Sequence, residues 1–236
     1  MFSCFGPVLR IASNELIDIT KPYNRSGRTM PKIISVNPTV PDPHAIAEAT
    51  GVIEKGGIIS FPTRCLYGLG ADALNTEAVD RVFDVKDRPY GKPILILIKN
   101  VEALEKIVRY IPTCASRIME AFWPGSVTIV FEAKESLPLR LTAGTGKIGV
   151  RLPAHPVASA LVNSIEKPIT GTSANIAGRA GCSRISDLDR RVAEKLDLVL
   201  DAGPLEGGAG STVIDVTGDA PKILREGTVP STSILP

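Results

Sequence analysis

Aromatic residues are scarce in this chain of 236 residues, because phenylalanine, tyrosine and tryptophan together make up only 5% of it. That scarcity argues against a surface on which single-stranded nucleic acid stacks its bases. An excess of one charge is lacking as well, since 27 basic and 25 acidic residues leave a net charge of +2 at pH 7. The chain as a whole is therefore not built to attract nucleic acid or anionic membranes, and any basic site must be local.

Metal-binding, disulfide and targeting patterns are lacking too. The four cysteines are widely spaced and form no CxxC pair, and two histidines are too few to suggest a structural zinc site. No apolar run approaches the ~20 residues that span a bilayer, and the first residues lack a basic region followed by a sustained apolar one. Reduced thiols without a targeting segment predict a cytoplasmic protein that does not associate with membranes.

Several well-known catalytic signatures are also missing. The sequence contains no GxxxxGK[ST] phosphate loop, no GxGxxG dinucleotide fingerprint, no HExxH and no Ser-His-Asp order. A P-loop enzyme and a dinucleotide-binding domain of the usual type are therefore excluded. If this protein binds phosphate groups, it must do so with a different geometry.

Strand and helix patterns alternate after the first 30 residues. Residues 1–30 show no clean hydrophobic period, and we expect them to be a disordered or poorly packed extension. Over residues 31–236, apolar runs such as ILILI at 94–98 alternate with amphipathic stretches such as 75–86. No repeat and no long linker divides this region. The sequence predicts a single α/β domain with a twisted, mixed sheet and flanking helices.

Caps and hydrophobic periods predict individual elements. Asp42 followed by Pro43 starts a helix, and Asn75 or Thr76 caps a second one. Ser186 is expected to cap a further helix over residues 186–196. Strands are expected at seven places: 58–61, 94–98, 126–133, 147–152, 198–202, 211–216 and 222–226. Within residues 168–173 a further strand is expected to run into a glycine-containing loop.

One short stretch concentrates positive charge. Residues 84–93 read DVKDRPYGKP, which places Lys86, Arg88 and Lys92 among two prolines and a glycine just before a buried strand. A solvated surface turn would have the same composition. The position favours a ligand site, because α/β folds bind ligands beside strand ends and prolines lower the ordering cost of binding. Arg88 can fork two phosphate oxygens, while the lysines act as point charges.

Other stretches place polar groups beside predicted strands. These groups are Thr63 and Tyr67 in FPTRCLYGLG, Thr172, Ser173 and Asn175 in GTSANIAG, Arg151 in GVRLP, Ser211 in GSTVIDV, and Arg225 in ILREG. Most of them fit structural turns equally well, because glycine, serine and asparagine favour such places. Arg151 differs, because an arginine in an apolar strand requires a partner or a ligand.

Taken in their order, these stretches resemble the YrdC-type family, the threonylcarbamoyl-AMP synthases. The resemblance covers roughly residues 56–227 and rests on seven motifs: GGIISFPTRCLYGLGADA, VKDRPYGKPILILI, FWPGSVTIVF, IGVRLPAHPVASAL, TSANIAG, STVIDV and ILREG. It implies a YrdC-like α/β fold with a concave, basic ligand face. It also implies that L-threonine, bicarbonate (or carbon dioxide) and ATP give threonylcarbamoyl-AMP and pyrophosphate, for modification of the adenosine beside the tRNA anticodon.

The resemblance implies roles for individual residues as well. Lys86 and Arg88 would be catalytic. ATP would contact Arg88, Lys92, Ser173, Asn175 and Arg225, and threonine would contact Thr63, Cys65, Arg151 and Ser211. Mg²⁺ would enter bound to the phosphates, with no protein ligand assigned to it. The product would pass to a downstream tRNA threonylcarbamoyl transferase complex, and weak binding of tRNA or double-stranded RNA would be compatible with a basic face.

Two departures from the family pattern leave alternatives open. Family members commonly read FPTET or FPTEA where this chain has Arg64 and Cys65. A thiol keeps the size of a small hydroxyl residue but makes a weaker hydrogen bond, which bears on the preferred amino acid. The chain resembles the short, single-domain members. The alternatives are a double-stranded RNA or tRNA-binding module of the same fold without turnover, and a paralogue with a different acceptor.

Overall fold

The computed structural model describes residues 30–235, so nearly all of the predicted N-terminal extension lies outside the described residues. The strands in the described part are β1 Lys32–Ser35, β2 Ile59–Pro62, β3 Tyr67–Gly70, β4 Ile96–Leu97, β5 Val127–Glu132, β6 Lys147–Arg151, β7 Ile169–Thr170, β8 Thr172–Ser173, β9 Leu198–Asp201, β10 Thr212–Asp215 and β11 Lys222–Arg225. The helices are α1 Pro43–Glu54, α2 Thr76–Lys86, α3 Val101–Glu105, α4 Thr113–Phe122, α5 Leu139–Thr142, α6 Pro156–Ser164, α7 Arg190–Ala193 and α8 Ser231–Ile234, with a 3-10 turn at Ile185–Asp187.

Hydrogen bonds divide these strands between two mixed sheets. One sheet has the order β1-β9-β2-β3-β8, and the other has the order β11-β10-β5-β6-β4-β7. Parallel and antiparallel neighbours occur in both, as where β5 pairs parallel with β10 and antiparallel with β6. The predicted α/β class with mixed strand pairing is confirmed. The sequence pointed to one sheet, and the division into two depends on contacts between distant segments.

The division is visible at Gly171, inside residues 168–173, where the sequence predicts a strand that runs into a glycine-containing loop. β7, on one side of this glycine, pairs with β4, whereas β8, on the other side, pairs with β3 of the second sheet. A Cβ at this position would come within 2.8 Å of side-chain atoms of Leu95 and Leu97. Gly171 is therefore the residue at which the chain passes from one sheet to the other in close contact with its neighbour.

The first two predicted helices are confirmed together with their caps. Asp42 accepts a hydrogen bond of 3.0 Å from the backbone N–H of His44 and starts α1, which has Pro43 in its first turn. Asn75 caps α2 by accepting from the backbone N–H of Ala78 at 3.2 Å. The amphipathic pattern of α2 buries one face in the core and carries the chain to the basic stretch that follows it.

The predicted helix over residues 186–196 is wrong. A 3-10 turn at Ile185–Asp187 is followed by extended backbone at Leu188, and α7 begins only after Asp189. The reason is local, because the Asp189 carboxylate accepts from the N–H of Arg191 at 2.9 Å and starts a new helix there. The strand predicted at 94–98 is shorter than expected and spans only β4. No helix among residues 30–235 is long and apolar enough to cross a membrane.

Candidate active site

A cavity of about 490 Å³ lies between the two sheets. Its floor is one face of the six-stranded sheet, where alternate residues point to the same side. The floor residues on β5, β6 and β10 are Thr128, Val130, Lys147, Gly149, Arg151, Val213 and Asp215. The walls come from the turn between β2 and β3, from residues 171–173, and from residues 87–93, which we call the cation loop. The fold therefore gathers the polar stretches of the sequence around one space.

Seven of the ten predicted site residues line this cavity: Thr63, Cys65, Arg88, Arg151, Ser173, Ser211 and Arg225. The other three are not part of its lining. Lys86 and Asn175 are buried behind the wall, and Lys92 is exposed on the cation loop.

Three guanidinium groups converge on the cavity from separate elements: Arg88 from the cation loop, Arg151 from β6 and Arg225 from β11. Burial lowers the pKa of each, and Arg225 lies close enough to lower the pKa of the other two further. Among residues 30–235, no carboxylate lies within 4.0 Å of any of the three. Positive charge that is concentrated and unpaired in this way is suited to an anionic ligand.

Arg151 is buried, with 9% of its surface exposed. Its Nε has no hydrogen-bond partner within the described residues. Burial lowers its pKa to about 10, with a further contribution from nearby Arg225. An unused N–H group on a buried cation is costly until a ligand accepts from it. The edge of a guanidinium that carries Nε is one of the two that bind a carboxylate in bidentate fashion.

Arg225 is braced against the start of β10. Its Nη2 donates to the backbone carbonyl of Ser211 at 2.6 Å and lies 3.3 Å from the Ser211 hydroxyl. That hydroxyl shares a 2.7 Å hydrogen bond with the hydroxyl of Thr128, and both side chains are buried. The orientation of Arg225 is therefore fixed before any ligand binds, which lowers the ordering cost of binding.

The guanidinium of Arg88 is held by the backbone of its own loop. Its Nε donates to the carbonyl of Lys92 at 2.9 Å, and its Nη2 donates to the carbonyl of Pro93 at 2.7 Å. The loop begins at Asp87, which has a left-handed conformation with φ 49° and ends α2. Arg88 is thus presented by a folded loop that bends around its side chain.

Lys86 lies behind the cavity wall and joins α2 to the loop that contains β8. Its Nζ donates to the backbone carbonyls of Ser173 and Asn175, and also to Oδ1 of Asn175 at 3.1 Å. Burial, with Arg88 nearby, lowers its pKa to about 7. The Asn175 side-chain amide in turn donates to two backbone carbonyls of the same loop. In this structure Lys86 and Asn175 therefore set the shape of the 173–175 loop, and Ser173 is the member that faces the cavity.

The turn between β2 and β3 contains the two departures from the family pattern. Thr63 closes the turn through a 2.6 Å hydrogen bond to the carbonyl of Leu66. Cys65 is buried on the cavity wall, and its Sγ lies 3.5 Å from the hydroxyl of Thr228. Arg64 also borders the cavity, but its side chain is solvent-exposed and forms an ion pair of 3.0 Å with Glu206. Arg64 is therefore paired at the protein surface, whereas the Cys65 thiol forms part of the cavity wall.

Sequence reasoning missed Thr128, Lys147 and Asp215. Lys147 and Asp215 form an ion pair of 3.0 Å at one end of the floor. Burial raises the pKa of Asp215, but hydrogen bonds from Thr217 and Lys147 outweigh this effect and leave the pKa below its ordinary value. The signal that could have found Lys147 is the period of two along β6, because it lies four residues before Arg151 and so on the same face.

The floor therefore has two different ends. Arg151 and Lys147 are separated by four residues of β6, or about 13 Å at ~3.3 Å per residue. The Arg151 end has arginines without carboxylate partners, whereas the Lys147 end is electrically balanced by Asp215. Val130, Val213 and Leu224 also line the cavity and make part of it apolar. This arrangement suits an extended ligand that is anionic at one part and less charged at another.

Comparisons with known proteins agree with this arrangement. Residues 51–227 match the family model Sua5/yciO/yrdC, described as telomere recombination. The threonylcarbamoyl-AMP synthase of Pyrococcus abyssi is 38% identical over 182 residues, which cover 77% of this chain. The chain spans about half the length of that relative, namely 54%.

Two solved structures are similar over most of the chain. The structure of P. abyssi Sua5 complexed with L-threonine gives a TM-score of 0.82 at 37% identity, covering 86% of this chain and 59% of the other. The structure of Escherichia coli YciO gives a TM-score of 0.80 at 28% identity, covering 87% of this chain and 100% of the other. The predicted resemblance is confirmed, and the chain belongs to the Sua5/YciO/YrdC family.

Proposed function

We propose that this chain is a threonylcarbamoyl-AMP synthase, a nucleotidyltransferase that uses L-threonine, bicarbonate or carbon dioxide, and ATP. The observation that carries the proposal is the convergence of Arg88, Arg151 and Arg225 on one cavity without a carboxylate partner among the described residues. An amino acid and a nucleoside triphosphate together bring one carboxylate and several phosphates to such a site. The similarity to Sua5, whose structure was determined with L-threonine, supports the choice of amino acid.

The threonine is proposed to lie at the Arg151 end of the floor. The Nε edge of Arg151, which has no protein partner among the described residues, would receive its carboxylate. Ser211 and the turn residues Thr63 and Cys65 line the cavity and would contact the rest of the amino acid. These are short side chains, so the space they leave suits a small amino acid.

The triphosphate is proposed to lie between the cation loop and β11. Arg88 and Arg225 would hold its oxygens, and Ser173, whose hydroxyl donates to Oδ1 of Asn175 in this structure, would contact the nucleotide from the opposite wall. Lys92 is exposed on the loop and is free to approach the outer phosphates from solvent. Fixed donors aimed at the departing group stabilise charge as it builds up, without reorganisation during the reaction.

The chemistry requires no protein nucleophile. The threonine amine forms a bond to the carbon of carbon dioxide and loses a proton, which gives a carbamate. A carbamate oxygen then attacks the α-phosphorus of ATP, and the bond to the bridging oxygen breaks, so that pyrophosphate leaves with the electron pair. The proposed contribution of the protein is positioning of the two anionic substrates and electrostatic stabilisation of the transferred group. Arg88 acts on the leaving phosphates, and Lys86 acts by holding the 173–175 loop.

A Mg²⁺ ion is expected to accompany ATP, and the cavity offers little to bind it directly. Asp215 is the only carboxylate in the described lining, and Lys147 already pairs with it. Within residues 30–235, no group of three or more His, Cys, Asp or Glu side chains is arranged to hold a metal. Mg²⁺ favours oxygen ligands and several waters, so the phosphates fit it better than this lining does. We therefore propose that the ion is held through the phosphates.

The biological setting is part of the proposal. The unstable acyl adenylate would be handed to a tRNA threonylcarbamoyl transferase complex, and the synthase would work in the cytoplasm, where its thiols stay reduced. Weak contact with tRNA through the basic cavity rim would be compatible with this hand-over.

The first experiment is a measurement of pyrophosphate release from ATP with bicarbonate and Mg²⁺, with and without L-threonine, and then with serine. Release that depends on threonine is expected, and the ratio of threonine to serine activity measures the effect of Cys65. Arg88→Ala should abolish release while the far-UV circular dichroism stays unchanged. Arg117→Ala, which removes an exposed arginine of α4 away from the cavity lining, is the matched control and should behave like the native chain.

Two outcomes would contradict the proposal. Folded protein that releases no pyrophosphate with threonine would leave the binding module and the paralogue with another acceptor as the remaining functions. Salt-sensitive RNA binding by such protein would select the former. Near-native release by Arg88→Ala would refute the role of the cation loop in phosphate binding.

A further inference from the structure

The cation loop is fastened to the protein from its outer side, away from the cavity. Tyr90, at the tip of the loop, is 77% exposed, yet its ring centroid lies 3.3 Å from Cζ of Arg140 on α5. The same guanidinium also lies over the ring of Phe83 on α2, with Cζ 4.0 Å from that centroid. Arg140 is therefore enclosed between a buried ring of the core and an exposed ring of the loop.

The orientation of Arg140 is set by these two rings more than by hydrogen bonds. Its Nε lies 2.9 Å from Oδ1 of Asp80, which is an ion pair, but neither Nε nor Nη1 has a well-directed hydrogen bond within the described residues. Only 12% of the Arg140 side chain is exposed. A guanidinium stacked on aromatic faces is attracted by the ring quadrupole and by dispersion, and this attraction grows when water is excluded.

The same short helix also holds the far end of the loop. The backbone N–H of Ile94, directly after the loop, donates to the carbonyl of Leu141 at 3.1 Å. At the near end, the N–H of Arg88 donates to the carbonyl of Phe83 at 3.0 Å. Between these two anchors, the Tyr90–Arg140 stack is the contact that fixes the tip. Because carbonyls of this loop hold the guanidinium of Arg88, the position of the tip determines where Arg88 points.

We propose that Arg140 is a positioning residue for the reaction, and that its stack with Tyr90 holds the cation loop in the shape that presents Arg88 to the phosphates. The phosphate part of this inference rests on the proposed function, whereas the anchoring of the loop does not. Arg140 and Tyr90 do not line the main cavity, so they act through Arg88. A loop tip that is fastened by one stack, between two backbone anchors, can also be released at low cost, which suits entry of ATP and exit of pyrophosphate.

The test uses Tyr90→Ala in the full chain, because removal of an exposed ring leaves the core intact. Hydrogen exchange of the amides at 87–93 should become faster than in the native chain. KM for ATP and Kd for inorganic pyrophosphate should rise roughly fivefold, because the variant loses one cation–π contact. KM for threonine should stay unchanged. Tyr90→Phe keeps the ring and should restore native values. Tyr110→Ala, which removes another exposed tyrosine, is the control and should match the native chain.

Arg140→Lys separates stacking from charge, because lysine keeps the positive charge near Asp80 but has no planar group to lie between the rings. It should reproduce the effects of Tyr90→Ala. The proposal is overturned if Tyr90→Ala leaves both amide exchange and pyrophosphate affinity at native values, or if Tyr90→Phe is as damaging as Tyr90→Ala. If the native chain releases no pyrophosphate, the proposed function is refuted, but the role of the stack in anchoring the loop is not. The exchange rates would then still decide whether the stack anchors the loop.

Discussion

Two buried cations of this protein have opposite surroundings. Lys86, at the end of α2, is 1% exposed, and Arg151, on β6, is 9% exposed. Burial lowers the pKa of both. Lys86 donates to three oxygens of the 173–175 loop, whereas Nε of Arg151 has no partner among the described residues. A cation that the protein already satisfies supports its structure, and one that the protein leaves unsatisfied in a cavity is suited to a ligand.

Replacing Lys86 gives the largest expected change in stability. Lys86→Met keeps the length of the side chain but leaves the carbonyls of Ser173 and Asn175 without their donor. The free energy of unfolding should fall by about 3 kcal/mol, the cost of unsatisfied buried polar groups. Chemical denaturation measures it. A fall of less than about 0.5 kcal/mol would show that the three hydrogen bonds do not support the structure.

Replacing Arg151 should affect substrate binding and leave the fold at least as stable. Arg151→Met removes a buried charge with an unused N–H group, so the free energy of unfolding should stay level or rise by about 1 kcal/mol. KM for threonine should rise about 100-fold, the usual cost of losing a charge-assisted bond to a carboxylate. Steady-state kinetics measures KM, and thermal melting measures the change in stability. A strong loss of stability with a native KM for threonine would show that Arg151 supports the structure rather than binding a ligand.

The lowered pKa of Lys86 should make the free energy of unfolding depend on pH. Its pKa is about 7 in the folded protein against an ordinary value of 10.5, so between these values the unfolded chain binds a proton that the folded chain does not. The free energy of unfolding contributed by this group therefore rises with pH above about 7, by up to about 1.4 kcal/mol per pH unit. Below pH 7 this contribution no longer changes. Denaturant titrations from pH 6 to 9 should show the slope in the native chain and not in Lys86→Met.

Replacing Arg64, an exposed arginine that is paired with a carboxylate, should have the smallest effect on stability and on KM. Arg64 and Glu206 form a surface ion pair in which both side chains are 57% exposed. Arg64→Ala should change the free energy of unfolding by less than about 0.5 kcal/mol, because solvent screens such pairs. KM for threonine should also stay near its native value, since the guanidinium, although it borders the cavity, is solvent-exposed and already paired with Glu206. A tenfold rise in that KM would show that this family departure tunes the binding site.

Much of the fold was predictable because its signals are local. Asp42 and Asn75 mark helix starts through hydrogen bonds within two or three residues, Pro43 fits the first turn, and both helices form as predicted. Prediction failed where competing local signals stood close together, as at Ser186 and Asp189, of which only the second caps a helix. It also failed to show that β7 and β8 belong to different sheets, because strand pairing depends on partners far away in the chain.

The order of the motifs, the family and the residues around which a site could form can all be read along the chain. Which of those residues face the cavity depends on how distant segments pack together. Lys86 and Asn175 are 89 residues apart, and only folding shows that the first turns inward to bind the second. The physical reason is that a cation's role depends on the oxygens within about 3 Å of it. Those oxygens belong to segments whose proximity is set by packing.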